Sequence, residues 1–167
     1  MGAQPRCLAR AVSSVAGRDQ PRRHTGALFL SNEYVRNLIT VPECVSVMED
    51  LFLQESRGLV ENLPRRRQRL GKLGTSLMGG SVLGSQVYGV RHSNVSVLYG
   101  TESGRLEAVF EPGTLAWIRT GAASGVAAKY LSAPDASVVG MIGTGRQAIT
   151  QIEAICAVRP VKQVKVF

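Results

Sequence analysis

The chain has 167 residues, a formal net charge of +8, 44% hydrophobic residues and 19% charged residues. This composition can build a core and is not that of a disordered protein. No apolar run approaches the roughly 18 residues of a membrane-spanning helix, which excludes an integral membrane protein. Cys7, Cys44 and Cys156 are odd in number and far apart. This excludes a disulfide framework and a cysteine metal site, and it favours a reducing, cytoplasmic location.

The positive charge is concentrated in two places. The first 26 residues contain five arginines against the single acid Asp19, and a second cluster spans 65–69 with Lys72. Nucleic-acid-binding surfaces combine such charge with stacking aromatic residues, but aromatics are only 5% here and none lies among the arginines. We therefore expect neither a nucleic-acid nor a membrane partner. Residues 1–26, which resemble a transit peptide in composition but lack its amphipathic pattern, are predicted to be a disordered basic extension.

The first ordered segment contains a strand and two helices. A strand at 27–30 leads into a helix predicted over 31–39, with its opening serine as N-cap. The second helix begins at a capping box formed by Thr40 and Glu43 and ends before Gly58. Its apolar residues recur at helical spacing and indicate a core-facing side.

The hydrophobic period then changes from helical to strand-like. Three strands are predicted, over 82–90, 95–99 and 106–110. A long helix over 114–131 follows, and Gly121 and Gly125 lie four residues apart within it. Small residues at this spacing allow close approach of another backbone, at a cost of about 1 kcal/mol per interior glycine.

The last part of the chain has the pattern of a dinucleotide-binding unit. A short apolar strand over 137–142 is followed by the sequence G-T-G-R-Q-A, a helix that ends at Arg159-Pro160, and a strand over 163–167. Gly143 allows the tight turn, Gly145 lets the backbone approach a pyrophosphate, and Ala148 lets the helix pack closely on the strand. The acidic residue that distinguishes NAD from NADP would fall at or beyond position 168, so both cofactors stay open.

These segments resemble the ornithine cyclodeaminase/mu-crystallin family over residues 27–167. The resemblance is carried by Leu115 to Gly125, which contains R-T-G-A-A-S, and by the 143–148 fingerprint. Phe29-Leu30-Ser31, Thr40-Val41-Pro42-Glu43 and Asn62-Leu63-Pro64-Arg65 look like further family motifs.

The resemblance implies an α/β fold with two domains. Residues 27–112 would form an incomplete α+β substrate-binding and dimerisation domain, and 113–133 a connecting helix. Residues 134–167 would begin a Rossmann-type NAD(P)-binding domain, truncated after its second strand. On this interpretation the chain is an N-terminal fragment of a homodimer and is inactive by itself.

The family also implies a function. It includes ornithine cyclodeaminase, which converts L-ornithine to L-proline and ammonia by internal hydride transfer on bound NAD. Alanine dehydrogenases and cyclic imine reductases are alternatives of the same class, with NAD or NADP as cofactor and a small amino acid or imine as substrate. A non-catalytic, mu-crystallin-like ligand binder is a further alternative.

By position, the resemblance implies roles for particular residues. Arg65 and Arg119 match arginines near the substrate, and Gln86 falls at the position given to the catalytic lysine. A glutamine cannot act as a proton acceptor near neutral pH, which supports the ligand-binder alternative. The residues expected to bind the cofactor are Gly143, Gly145, Arg146, Gln147, Ala148 and Thr120.

Overall fold

The computed structural model describes residues 23–24 and 26–167, and within them it has nine strands and four helices. The strands are β1 (Arg23–His24), β2 (Ala27–Leu30), β3 (Val60–Leu70), β4 (Leu73–Val82), β5 (Val87–His92), β6 (Val95–Gly100), β7 (Leu106–Phe110), β8 (Val138–Met141) and β9 (Gln163–Val166). The helices are α1 (Asn32–Arg36), α2 (Val41–Ser56), α3 (Gly113–Leu131) and α4 (Arg146–Val158).

Seven strands form one mixed sheet in the order β1-β2-β7-β6-β5-β4-β3. Neighbours from β7 to β3 are antiparallel hairpins, whereas β2 pairs with β7 in parallel. β1 lies within the predicted basic extension and pairs with β2. The rest of that extension, apart from Gly26, lies outside the described residues.

The observed N-caps of α1 and α2 are those predicted from the sequence. At the start of α2, the Thr40 hydroxyl accepts from the Glu43 amide and the Glu43 carboxylate accepts from the Thr40 amide, so the predicted capping box is confirmed. The Ser31 hydroxyl likewise caps α1 by accepting from the Tyr34 amide at 3.2 Å. This helix ends at Arg36, however, and not at residue 39 as predicted.

One of the three strands predicted in this part of the chain was wrong. The prediction of one strand over 82–90 fails because β4 ends at Val82, β5 starts at Val87, and a turn separates them. The predicted strands at 95–99 and 106–110 are confirmed. Strand β3 and most of β4 were not predicted at all.

The core lies between the helices. Helix α3 packs on both α2 and α4, and its Ile118, Ala122 and Val126 are buried there. Val41, Cys44 and Val45 of α2 and Ala154 of α4 complete the cluster. At the far end of α3, Lys129 forms an ion pair with Glu49 of α2 at 2.8 Å, and Tyr130 donates to the same carboxylate. Of the helices in the described ranges, none has the length and apolar content needed to cross a bilayer.

Candidate cofactor and substrate site

The fingerprint loop joins strand β8 to helix α4 and has the predicted βαβ setting. β8 and β9 pair in parallel, with α4 between them along the chain. Gly143 has φ +89°, a left-handed conformation that favours glycine, and its amide donates to the Phe167 carbonyl at 2.9 Å. This bond ties the loop to the end of β9.

The start of α4 is open to an anion. Its N-cap is Gly145, which has no side chain to bond the first amides of the helix. The Ala148 amide donates to the Gly145 carbonyl at 2.9 Å, whereas the Arg146 and Gln147 amides have no acceptor within the helix. The helix dipole adds positive potential there. Residues 143–147 are exposed, and a Cβ at Gly143 or Gly145 would meet no atom within 4 Å. The loop can therefore accept a diphosphate against its backbone.

Helix α3 supports this loop through close contact with α4. A Cβ on Gly121 would lie 2.3 Å from the Thr150 carbonyl oxygen, so the two helix backbones nearly touch. The Thr150 hydroxyl donates to the Trp117 carbonyl at 3.0 Å. The Arg146 guanidinium, at the first position of α4, lies 5.9 Å from the centre of a Trp117 ring. The predicted use of small residues in α3 is thereby confirmed.

A second site lies on the main sheet, where two arginines lie on either side of the same residue of β4. Pro64 and Arg65 form a bulge in β3 and together oppose Met78 of β4. On its other side Met78 pairs with Arg91 of β5. Arg65 and Arg91 both line a groove of about 660 Å³, which we call the basic groove. Its lining residues are Arg65, Arg67, Gln68, Arg69, Lys72, Leu73, Gly74, Thr75, Ser76, Arg91, Ser93 and Asn94.

Arg91 is the member of this cluster that the sequence analysis missed. It is half-buried, and its Nε donates to the Ser93 carbonyl at 3.2 Å. Burial lowers the pKa of Arg91, and the positive charges of Arg119 and Arg65 lower it further. The structure therefore brings Arg119 of α3 into the electrostatic neighbourhood of the two sheet arginines. Among the described residues, the ion pair that forms is that of Lys129 with Glu49. In this part of the chain, no carboxylate therefore forms an ion pair with Arg65, Arg91 or Arg119.

Gln86 lies away from this cluster. It is in the turn before β5, and its main-chain carbonyl accepts from the Thr101 amide at 3.0 Å. The expectation that Gln86 lies on a strand was wrong. Arg91 is near the opposite end of β5, about 16 Å away at the usual rise per residue in a strand.

The other predicted cofactor-binding residues lie near the fingerprint. Arg146 and Gln147 are exposed in the first turn of α4, and the half-buried Ala148 donates its amide to the Gly145 carbonyl at 2.9 Å. Thr120 is on α3, where its hydroxyl donates to the Ala116 carbonyl at 2.6 Å. Their roles toward a cofactor stay predictions.

Comparison with known proteins shows which family the chain matches. The sequence pattern of the ornithine cyclodeaminase/mu-crystallin family matches residues 26–167. An alanine dehydrogenase of Archaeoglobus fulgidus is 30% identical over an alignment of 155 residues, and the match covers 84% of this chain and 48% of that protein.

Two solved structures show the same fold. The Δ1-pyrroline-2-carboxylate reductase of Thermococcus litoralis, in complex with NADH and L-proline, superposes with a TM-score of 0.76 at 29% identity. It covers 83% of this chain and 48% of its own. The iminosuccinate reductase of Paracoccus denitrificans, in complex with NAD⁺, has a TM-score of 0.78 at 26% identity and covers 84% and 49%. The chain thus spans about half the length of the relatives it matches.

Proposed function

The chain belongs to the ornithine cyclodeaminase/mu-crystallin family, and on that premise we propose that its protein is an NAD(P)(H)-dependent enzyme acting at the amino-bearing carbon of a small amino acid or imine. The observation that carries the proposal is the open fingerprint loop of residues 143–147, which joins β8 to α4 and is tied to the end of β9 by the Gly143 amide. In this proposal residues 27–112 bind substrate and form the dimer, 113–133 connect, and 134–167 begin the cofactor domain.

The residues present fit a dinucleotide. The free amides at the start of α4 bind the diphosphate, and the bare backbone at Gly145 permits close approach. Trp117 holds the Arg146 side chain beside the loop through its ring face. The Thr120 hydroxyl, whose proton is engaged by Ala116, keeps its lone pairs available to accept from the cofactor. When bound, the nicotinamide ring supplies hydride exchange with the substrate carbon.

The substrate carboxylate is assigned to the arginines. A guanidinium presents a planar fork that matches a carboxylate and is strongest where water is partly excluded. In this proposal Arg65 and Arg119 hold the carboxylate that every amino or imino acid of this class carries.

Among reactions of this class, the charge of the basic groove favours an oxidoreductase over ornithine cyclisation. The groove is lined by four arginines and one lysine, with no acidic residue. L-Ornithine carries a second ammonium group at the end of its side chain, and this group would face those cations. Like charges brought together in a partly dehydrated site cost several kcal/mol. We therefore place reduction of an imine, or the reverse amino-acid oxidation, first and the cyclodeaminase reaction second.

The proposal is tested by fluorescence titration of the natural full-length protein with NADH and NADPH. Binding of at least one cofactor is expected, and absence of binding by both would refute the proposal. Arg119→Ala should raise the KM for the amino acid about 10- to 100-fold while changing cofactor affinity less than about threefold, because a charge-assisted contact is lost only toward substrate. Equal loss of both would contradict the role of Arg119. Cofactor binding without turnover of any amino or imino acid would favour the ligand-binder alternative.

A further inference from the structure

The guanidinium of Arg159, at the end of α4, binds the last turn of helix α3. Its Nε donates to the Ser132 hydroxyl at 2.9 Å, and one terminal nitrogen donates to the Ser132 carbonyl at 3.1 Å and to the Lys129 carbonyl. The other terminal nitrogen donates to the Val158 carbonyl at 2.8 Å. The last carbonyls of a helix have no donor within it, and the helix dipole favours a cation there. Arg159 therefore supplies donors that α3 itself lacks.

The same turn of α3 is also tied to helix α2. The Lys129 ammonium pairs with the Glu49 carboxylate at 2.8 Å, and Tyr130 donates to that carboxylate. The Lys129 carbonyl, on the main chain of the same residue, accepts from Arg159. In the proposed domain division, α2 belongs to the substrate domain and Arg159 to the cofactor domain. The last turn of α3 is thus a junction at which both proposed domains hold one helix.

Helices α3 and α4 are attached to each other at two points that lie far apart. At one, Gly121 lies against the Thr150 backbone, and at the other Arg159 holds Ser132. These points are about 16–17 Å apart along α3 at the rise of an α-helix. Two attachments at this separation fix the angle between the helices, whereas one contact alone would let them pivot. Because α4 begins with the fingerprint and α3 carries Arg119, this angle sets the cofactor loop relative to the arginine assigned to the substrate.

From this arrangement we infer that Arg159 is a positioning residue for the proposed reaction, because it fixes the fingerprint loop relative to Arg119. It acts from a distance, since it follows the last residue of α4 and lies about 21 Å along that helix from Gly145. The inference rests on the proposed function and adds a residue outside both sites. Reacting atoms must approach to about 3–3.5 Å, and a displacement of about 1 Å costs about a hundredfold in rate. Loss of Arg159 should therefore slow the reaction of bound ligands more than it weakens their binding.

The kinetic test compares the natural full-length protein with the variants R159Q and R159K. Stopped-flow mixing of the NADH complex with pyruvate plus ammonium, or with Δ1-pyrroline-2-carboxylate, gives the rate of reduction per bound NADH; NADPH replaces NADH if it binds more tightly. In each reaction the imine carbon takes a hydride, the nitrogen takes a proton, and the reduced cofactor is oxidised. For R159Q we expect this rate to fall about 10- to 100-fold, with cofactor Kd and substrate KM changed less than about threefold.

Two further variants separate positioning from folding. R159K keeps the charge but lacks the planar fork, so it should recover part of the rate and stay about 3- to 10-fold below the wild type. If R159Q does not bind cofactor, R159K alone carries the kinetic test. Arg57→Gln is the matched control, because Arg57 is likewise the C-cap of its helix and is exposed, and it should change none of these values. Each rate is divided by the number of cofactor sites, so loss of folded protein does not count as a slower reaction.

Hydrogen exchange at the end of α3 gives a readout that needs neither cofactor nor turnover. The Ser132 amide donates to the Ala128 carbonyl at 3.2 Å, and it should exchange about tenfold faster in R159Q, because the turn that holds it loses hydrogen bonds to a charged group. The Thr114 amide, at the other end of α3, donates to the Asn32 side-chain oxygen at 2.8 Å and should exchange at the wild-type rate.

The outcomes distinguish this inference from the proposed function. Absence of cofactor binding or of turnover in the wild type would refute the proposed function, and the positioning role with it. In an active wild type, a normal rate per cofactor site in R159Q would overturn the positioning role alone. A loss of cofactor affinity as large as the loss of rate, or unchanged exchange of the Ser132 amide, would also overturn it.

Discussion

The contact between α3 and α4 predicts that Gly121→Ala is destabilising, although alanine is the better helix former. The new Cβ would lie 2.3 Å from the Thr150 carbonyl oxygen and 2.5 Å from its carbon. Both are backbone atoms, so no flexible side chain can move aside and the helices must separate.

The magnitude follows from two opposing effects. Replacing glycine by alanine within a helix gains about 1 kcal/mol. Overpacking a close contact costs about 1–3 kcal/mol, and contact with backbone belongs at or beyond the upper end. We expect a net loss of about 2 kcal/mol in the free energy of unfolding, or about 4–8 °C in Tm for a protein of this size.

The assay compares two further glycines by urea and thermal unfolding. At Gly125 the nearest atom to a new Cβ is the Ala154 carbonyl oxygen at 2.9 Å, so Gly125→Ala should cost less. At Gly140 of β8 nothing lies within 4 Å, so Gly140→Ala should be neutral or stabilising. NADH affinity should fall with Gly121→Ala, because α4 carries the fingerprint. A higher Tm for Gly121→Ala, as propensity alone predicts, would refute the close contact.

Three further predictions concern the caps and the charges. Thr40→Ala should cost about 1 kcal/mol in urea unfolding, because it removes the acceptor of the Glu43 amide, while Thr40→Ser should not. Gly145→Asp should leave Tm unchanged or higher, since aspartate is a good N-cap. The same substitution should weaken NADH binding about a hundredfold, because its carboxylate repels the diphosphate. An equal loss of NADH affinity with Gly145→Asn would exclude a charge effect. Hydrogen bonding to Lys129 lowers the pKa of Glu49 below its ordinary 4.5. The ionised Glu49 therefore stabilises the folded protein near neutral pH, and this stabilisation is lost as pH falls through the lowered pKa. Glu49→Gln should thus reduce Tm at pH 7, and the difference should narrow in acid; a gap that stays constant with pH would contradict this.

The helices and the fingerprint could be predicted because their signals are local. The capping box of Thr40 and Glu43 lies within four residues, and the glycine turn at 143–145 lies between a strand and a helix. Each signal is read from neighbours in the chain and needs no knowledge of the tertiary fold.

Strand β3 could not be predicted because it lies at the edge of the sheet. Its residues from 61 to 70 are exposed, so no alternation of apolar and polar residues marks it. Pro64 argues against a strand, yet it is tolerated because it lies in the bulge, where no regular ladder bond is needed. The arginine run therefore has the composition of a solvated loop.

Strand β4 was hidden by its glycines for a different reason. A Cβ at Gly80 would lie 2.7 Å from the Glu61 carbonyl oxygen, and one at Gly79 would lie 3.0 Å from the Gly89 carbonyl oxygen. These glycines permit close approach of neighbouring strands, whereas in sequence they indicate a turn. Arg91 was missed as a site residue because its partners are set by this sheet register and lie far away along the chain.

Helix α3 connects the two proposed sites mechanically. Trp117 and Gly121 face the fingerprint helix, whereas Arg119 is two residues from Trp117 and so about 200° around the helix axis, on another side. A rotation or shift of α3 that relieved strain at Gly121 would also move Arg119 relative to Arg91. Substrate affinity should therefore respond to substitutions at the α3–α4 contact, although none of those residues touches the basic groove.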